Sequence, residues 1–232
     1  MSQRELFPRA TSIMGDVERA AYGANFKLII GVDEAGRGPL AGPVHVGAVV
    51  FEEGFFLDGE EDAWWRQLDD SKKLTDKKRE ALYDLICEHA LASCVVVSDR
   101  ETIDEINILN ATKRAMSEAV EQLREELEQQ SRAIDRVYID GNQYIETTLP
   151  QIAVIKGDAR SYHIAAASIL AKVARDRYMV EAHEDWPEYG FDQHKGYGTK
   201  AHREAIASHG PCPLHRQSFA GVKEHLEKLR EA

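Results

Sequence analysis

Four carboxylates occupy positions from which they could bind divalent metal ions together. Asp33 and Glu34 directly follow the apolar run at residues 26–32, and Asp140 and Asp158 each end a further apolar run. Because strand ends in an open α/β sheet converge on one crevice, we expect the four side chains to meet there. Crowded carboxylates repel one another unless a cation compensates, and oxygen ligands without cysteine or histidine favour Mg²⁺ or Mn²⁺. Such a site can hold two ions for phosphodiester hydrolysis.

Each of these carboxylates also has a purely structural interpretation. A single aspartate beside glycine at a strand end most often forms a local turn, so Asp140 or Asp158 alone is a weak indication. The adjacent pair Asp33 and Glu34 is harder to explain in this way, because two acids at the end of a buried strand gain little from folding. The metal-site prediction therefore depends on all four side chains coming together.

A glycine-rich stretch, GVDEAGRGPLAGP at residues 31–43, surrounds the first two acids. The spacing of Gly36 and Gly38 is similar to that of a dinucleotide-binding loop, but Pro39 intervenes and a strand follows where that motif requires a helix. We therefore reject the dinucleotide interpretation. Glycines also let the backbone approach a ligand closely, and Arg37 adds a planar guanidinium suited to phosphate.

An alternation of apolar runs and amphipathic segments must position these residues. β-Branched and apolar runs predict strands, and apolar residues at helical spacing predict helices. Residues 57–68 are acidic and irregular, with Trp64 and Trp65 packing the segment down. The alternation predicts one α/β domain. The expected strands are residues 26–32, 44–51, 93–97, 137–140 and 152–158, and the expected helices follow Thr75, span 108–130 and 162–179, and begin at Thr199 and near Phe219.

The composition is that of an ordinary globular protein, with 232 residues, 43% of them hydrophobic, and a formal net charge of −11. That charge argues against a nucleic-acid partner, but acidic and basic residues nearly balance from residue 151 onward, so a local cationic surface can exist there. Three cysteines without paired spacing indicate neither a zinc site nor a disulfide framework. Without a membrane-length apolar run or a secretory signal, the expected location is cytoplasmic.

Seven ordered sequence blocks resemble the bacterial type 2 ribonucleases H, the ribonuclease HII family. One block could occur by chance, but the ordered set is highly specific and covers nearly the whole chain. The blocks are DEAGRGPLAGP at 33–43, DSKKL at 70–74, YIDG at 138–141, KGD at 156–158, AAASILAK at 165–172, HKGY at 194–197 and HRQSF at 215–219.

The resemblance implies a ribonuclease H-like α/β fold, with a central mixed β-sheet flanked by helices and a helical C-terminal segment. It also implies a metal-dependent endonuclease, with Mn²⁺ or Mg²⁺ as cofactor. This enzyme would hydrolyse the RNA strand of RNA/DNA hybrids and cut 5′ to ribonucleotides embedded in duplex DNA, leaving 3′-hydroxyl and 5′-phosphate ends. The catalytic, metal-binding carboxylates of the family correspond to Asp33, Glu34, Asp140 and Asp158.

Contacts with the nucleic acid are implied by the same resemblance. Gly36, Arg37 and Gly38 match a tripeptide that senses the ribose 2′-hydroxyl, the group that distinguishes RNA from DNA. Lys72 matches a phosphate-contacting lysine, and Tyr197 matches a tyrosine that stacks on the sugar at an RNA–DNA junction. From the residues alone, Lys72 could instead be a solvated residue before a helix, and Tyr197 could merely cover a loop.

The resemblance and the chain length together predict the domain organisation. Residues 1–25 are expected to form a short N-terminal extension, and residues 26–232 a single catalytic domain. The related type 3 enzymes carry a sizeable extra N-terminal domain, so the short extension disfavours them. The expected partners are RNA/DNA hybrids and ribonucleotide-containing duplex DNA, with no membrane, and the chain is expected to be a monomer because it lacks a heptad-rich tail.

Two other classes of function remain open from the sequence. A hybrid-binding protein without catalysis would bind and never cut, and a different two-metal nuclease would cut plain DNA.

Several polar residues outside the site also carry expectations. Asp176 is expected to form an ion pair within a helix. His45 occupies an apolar strand position, so its side chain needs a partner or solvent. Hard cations rarely take imidazole ligands, so packing or phosphate contact is expected for His194, His202 and His215.

Overall fold

The computed structural model describes residues 13–57 and 63–231, and their elements form an α/β fold as the sequence predicts. The strands are β1 Ile29–Ala35, β2 Val44–Val50, β3 Ala92–Ser98, β4 Arg136–Asp140 and β5 Gln151–Val154. The helices are α1 Asp16–Gly23, α2 Asp76–His89, α3 Arg100–Gln129, α4 Tyr162–Asp185, α5 Phe191–His194, α6 Lys200–His209 and α7 Lys223–Glu231.

The strands form one mixed sheet in the order β3-β2-β1-β4-β5. β1 pairs antiparallel with β2 and parallel with β4, and β4 pairs parallel with β5. The carboxyl ends of three neighbouring strands, β1, β4 and β5, therefore lie at the same edge of the sheet.

Helices cover both faces of this sheet. On one face, α3 packs Ala119, Val120 and Leu123 against alternate residues of the strands, including Val32 and Ile139. On the other face, the alanine-rich centre of α4 packs against β1 and β2. The central strands β1 and β2 are thus buried on both faces, which explains their continuous apolar sequences. No helix in the described residues is long and apolar enough to cross a bilayer.

Two glycines allow α4 to lie directly on the strands. A Cβ added at Gly31 would come within 2.4 Å of the backbone carbon of His163, and one added at Gly47 within 2.2 Å of the carbonyl oxygen of Ala167. Real Cβ atoms do not tolerate such contacts with backbone. The small residues of α4 and these glycines together fix the distance between helix and sheet.

Several element bounds differ from the sequence expectations. β1 extends to Ala35, since its pairing with β2 continues to His45, so Asp33 and Glu34 lie within the strand. The expected strand 152–158 was wrong in its second half, because β5 ends at Val154.

α3 begins eight residues earlier than expected, and α4 ends at Asp185, beyond the expected end at 179. Asp99 caps α3 by accepting a hydrogen bond from the N–H of Thr102 at 2.8 Å. At Asn107, where φ is 66°, the backbone leaves helical geometry, and the side chain of Asn107 accepts bonds from the N–H groups of Leu109 and Asn110. The expected start at 108 corresponds to this second cap.

The sequence did not predict the N-terminal helix α1. It is held by Glu18, which is 1% exposed and accepts hydrogen bonds from Ser161 Oγ at 2.6 Å and from the N–H of His163 at 3.2 Å. An ion pair of 2.9 Å joins Asp16 to Arg160. These contacts fasten α1 to the first turn of α4 and to the segment before it.

We predict that Gly47→Ala destabilises the protein by about 1–3 kcal/mol, the usual cost of overpacking a filled core. The new methyl group would have to displace the backbone of α4. Thermal or urea unfolding measures the change. Gly23→Ala is the control, because a Cβ at Gly23 meets nothing within 4 Å. Equal unfolding midpoints for both variants would contradict the close packing of α4 on the sheet.

Candidate active site

Three of the four predicted carboxylates lie side by side on adjacent strands. Asp33 and Glu34 lie near the carboxyl end of β1, and Asp140 is the last residue of β4. The parallel pairing of Val32 with Ile139 places Asp33 next to Asp140 at the same edge of the sheet. Asp33 is 5% exposed, and one of its oxygens accepts a hydrogen bond from the N–H of Glu34 at 2.7 Å.

Asp158 reaches the same place from a 3₁₀ turn, Gly157–Ala159, that follows β5. The turn is fixed to the neighbouring strand because the N–H of Gly157 donates to Asp140 Oδ1 at 2.7 Å. On its other side, the backbone N–H of Gly15 donates to the carbonyl of Arg160 at 2.8 Å. Asp158 is therefore held beside Asp140 by contacts from both ends of the turn.

Electrostatics shows that the four carboxylates share one environment. Burial raises the pKa of Asp33 well above its ordinary value, and repulsion from Glu34, Asp140 and Asp158 raises it further. Burial also raises the pKa values of Glu34 and Asp140, opposed by Arg37 for the first and by backbone N–H groups for the second.

The pKa of Asp158 is raised to about 6 by burial and by the charge of Asp140. Burial lowers the pKa of Lys72, but the surrounding carboxylates, Asp70 and Asp33 foremost, outweigh it and the net shift is upward. This side chain is the cation that the four acids share.

The donor set fits a hard divalent cation. Four carboxylates supply only oxygen, and their raised pKa values show that the folded protein holds more negative charge here than it can solvate. In the described part of the chain, no three His, Cys, Asp or Glu side chains are already arranged to enclose a metal ion. Oxygens of Asp33 and Asp140 accept backbone hydrogen bonds instead.

A cleft of about 590 Å³ opens beside Glu34 and brings together the residues that the sequence analysis assigned to nucleic-acid contact. Gly38 lies against Tyr197, since a Cβ on the glycine would be 3.7 Å from the tyrosine ring, and Tyr197 is 44% exposed. Arg37 donates to Glu34 at 3.1 Å. The predicted contact residues that line this cleft are Gly36, Arg37, Gly38, Lys72 and Tyr197.

Sequence reasoning missed several further residues that line the cleft, among them Arg79, Ser168 and Lys172. Ser168 Oγ lies 2.7 Å from Ser71 Oγ, which fixes the segment before Lys72 to α4. Arg79 donates to the carbonyl of Ser71 at 2.8 Å. The block AAASILAK at 165–172 contains Ser168 and Lys172, but it gave neither residue a role. Their contacts join segments far apart in the chain, which a sequence pattern does not reveal.

The expectation for Asp176 is confirmed, because its carboxylate lies 2.6 Å from Lys172 Nζ and 3.8 Å from Arg79. His45 is buried, and its Nδ1 has no hydrogen-bond partner among the described residues. It contacts the ring of Tyr178 at 5.8 Å between centroids, and burial lowers its pKa to about 4, so it is neutral.

The C-terminal histidines pack together away from the carboxylates. His202 Nε2 lies 3.0 Å from His215 Nε2, and His194 stacks on His202 at 4.5 Å between centroids. Burial lowers the pKa of both His202 and His215 to about 4. Packing is therefore the role of these two side chains in the structure.

A mixed sheet with acids at the ends of adjacent parallel strands, covered by helices on both faces, defines a ribonuclease H-like α/β protein. Comparison with known proteins narrows the class. The profile of the Ribonuclease HII family matches residues 30–222. Ribonuclease HII of Geobacter metallireducens is 52% identical over 201 residues, which cover 87% of each chain. The chain belongs to the ribonuclease HII family and is a ribonuclease H, a hydrolase.

Solved structures agree with this fold. The crystal structure of ribonuclease H2 from Pyrococcus horikoshii OT3 is 26% identical with a TM-score of 0.68, covering 88% of this chain and all of that one. Bst-RNase HIII in complex with Mn²⁺ has a TM-score of 0.66 at 18% identity, covering 89% of this chain and 71% of that one. The second comparison supports the fold alone.

We predict that Asp158→Asn stabilises the metal-free protein at neutral pH. Because the folded-state pKa of Asp158 is about 6 and its ordinary value is 3.8, the folded state binds more protons between these values. The free energy of unfolding of the wild type therefore falls as pH rises through this window, and the variant escapes that loss. In EDTA at pH 7.5 the variant should be about 1–3 kcal/mol more stable than the wild type, with no advantage at pH 3.5.

Urea unfolding in EDTA at both pH values measures this difference. The matched control is Asp84→Asn, a change at an exposed residue of α2. If Asp158→Asn were less stable than the wild type at pH 7.5, the crowding of charge at the site would be contradicted.

Proposed function

We propose that this ribonuclease H is a metal-dependent endonuclease that hydrolyses the RNA strand of RNA/DNA hybrids and cuts 5′ to ribonucleotides embedded in duplex DNA. The products would carry 3′-hydroxyl and 5′-phosphate ends, and the cofactor would be Mn²⁺ or Mg²⁺. Recognition of single ribonucleotides in DNA would give the protein a role in ribonucleotide excision repair. Membership of the ribonuclease HII family supports the substrate class.

The observation that carries this proposal is the continuity of the acidic edge with the cleft. Glu34 belongs to both, since it interacts with Asp33 and Asp140 and also lines the cleft with Arg37 and Tyr197. A nucleic-acid strand in the cleft would therefore present its phosphate to the carboxylates. Because Glu34 belongs to both, a sugar recognised in the cleft would lie close to the phosphate that is cut. Cleavage at a recognised sugar requires this proximity.

In this mechanism Asp33, Glu34, Asp140 and Asp158 would hold the divalent ions. When bound, the ions supply an activated water and stabilise charge on the phosphate oxygens. The chain contributes the fixed positions of the carboxylates, because Asp33, Glu34 and Asp140 lie on paired strands and Asp158 follows Gly157, whose N–H is bonded to Asp140. Lys72 lies close enough to the acids to share their field and would also contact phosphate.

Asp158 is the member of the set that would assist proton transfer. It lies in a short turn rather than in a strand, and its pKa, raised to about 6 by burial and by the charge of Asp140, allows it to hold a proton near neutral pH. The departing 3′-oxygen needs a proton, and a carboxyl group on a turn can approach it.

Selectivity for ribose would come from the opposite wall of the cleft. The backbone of Gly36 and Gly38 carries no side chain there, so N–H and C=O groups can approach a 2′-hydroxyl directly. Arg37 would bind a neighbouring phosphate. Tyr197, which faces Gly38 and is half-exposed, would stack on the sugar at the junction.

One assay separates this proposal from its two rivals. Duplex DNA with one ribonucleotide, an RNA/DNA hybrid and an all-DNA duplex are each incubated with the protein in Mg²⁺, Mn²⁺ or EDTA. The proposal expects cutting of the first two substrates with either ion and none in EDTA. Binding without cutting in every condition would support a hybrid-binding protein, and cutting of the all-DNA duplex would support a general nuclease.

We predict that Asp33→Asn lowers the cleavage rate at least about 100-fold while binding of the hybrid stays measurable. Loss of a direct ligand should exceed the about 10- to 100-fold loss that follows removal of a partner that orients a metal ligand. Single-turnover cleavage and fluorescence anisotropy measure the two quantities. Asp84→Asn again serves as the control, and substantial turnover by Asp33→Asn would refute its role as a ligand.

A further inference from the structure

Two arginines lie entirely beneath the glycine-rich segment 36–43. Arg175 on α4 is 1% exposed, and Arg216, in the segment after α6, is 0% exposed. Their guanidinium groups donate to backbone carbonyls and not to side chains. Arg216 donates to Gly42 at 2.9 Å, to Arg37 at 2.9 Å and to Gly36 at 2.5 Å.

Arg175 joins this segment to the loop that carries Tyr197. Its guanidinium donates to the carbonyls of Pro43 at 3.1 Å and Ala41 at 3.3 Å on one side, and to that of Lys195 at 3.0 Å on the other. Its Cζ lies 5.9 Å from the centroid of the Tyr197 ring. Together with the bond from the N–H of Leu40 to the carbonyl of Gly196, at 2.8 Å, this side chain ties the glycine-rich segment to the loop of Tyr197.

The conformation of Gly36 depends on this arrangement. Its φ is 100°, a region that favours glycine, and a Cβ there would lie 2.0 Å from Arg175 Nε. The arginine occupies the space that any other residue at 36 would need, so the bare backbone above it follows from the packing below it.

Neither guanidinium has a carboxylate partner among the described residues. The nearby carboxylates are engaged elsewhere, Asp176 with Lys172 and Asp104 with the N–H groups of Gln217 and Ser218. Burial lowers the pKa of both arginines, that of Arg216 to about 9, and the charge of Arg175 contributes to the shift of Arg216. Two buried cations without counter-ions are costly for the folded state and leave a positive potential under the segment.

We propose that Arg175 and Arg216 are positioning residues for substrate recognition, which hold the backbone of residues 36–38 at a fixed distance from Tyr197 and attract the phosphodiester backbone by their unpaired charge. The inference rests on the proposed function of that cleft. Five of the six carbonyl bonds fix acceptor groups of the segment 36–43, so the N–H groups of residues 36–38 and the Arg37 side chain stay oriented toward the ligand. The phosphates of the nucleic acid supply the negative charge that these two guanidinium groups lack in the folded protein.

Substitutions of Arg216 separate the two contributions. Arg216→Lys keeps the charge and loses the planar fork that binds three carbonyls, and Arg216→Met loses both. The KM for duplex DNA with one ribonucleotide should rise about tenfold in Arg216→Lys, as for loss of a charged hydrogen bond, with kcat changed less than about threefold. Binding of an all-DNA duplex should be unchanged in Arg216→Lys and weaker in Arg216→Met. Arg175→Lys should repeat the rise in KM.

The control is Arg100→Lys, since Arg100 also donates to a carbonyl, that of Pro213 at 3.0 Å, but Pro213 lies outside the segment 36–43. Unfolding midpoints are measured for every variant and all assays are run below them. An unchanged KM in folded Arg216→Lys and Arg175→Lys overturns the inference. Failure of both lysine variants to fold also overturns it, because the arginines would then serve the fold. If the wild type does not cut the ribonucleotide duplex, the proposed function itself fails.

Discussion

Repulsion between carboxylates at one edge of the sheet is the constraint on which the rest of the structure depends. Asp33 and Asp140 are brought together by the parallel pairing of β1 with β4, and Asp158 is tied to Asp140 through the N–H of Gly157. Burial and mutual repulsion raise the pKa of Asp33 and Asp158. A fold gains nothing from such crowding by itself, so the sheet must be stable enough to impose it.

The remaining elements supply that stability and add recognition. α4 lies directly on the strands because Gly31 and Gly47 leave room for its backbone. The same helix carries Arg175, whose bonds to carbonyls fix the glycine-rich segment that follows the acids of β1. One helix thus contacts both the strands that carry the acidic edge and the segment that lines the cleft.

The sequence predicted the features that depend on neighbouring residues and missed those that depend on contacts between residues far apart in the chain. The strand ends that carry Asp33 and Asp140 were predicted because apolar runs reveal buried strands locally. The turn at Asp158 was placed in a strand, since the turn is held by the bond from the N–H of Gly157 to Asp140, a side chain seventeen residues earlier. α1 was missed because its helix depends on Glu18 bonding to Ser161, a partner far along the chain. The roles of Arg175 and Arg216 were invisible for the same reason.

The most direct test of the account is an anomalous difference map from crystals of the wild-type protein grown with Mn²⁺. We expect manganese density within about 2–2.5 Å of carboxylate oxygens from at least Asp33 and Asp140, and its loss in crystals of Asp33→Asn grown in the same way. Manganese bound only at other sites, with these carboxylates still hydrogen-bonded to backbone N–H groups, would contradict the claim that the acids are crowded in order to hold divalent ions.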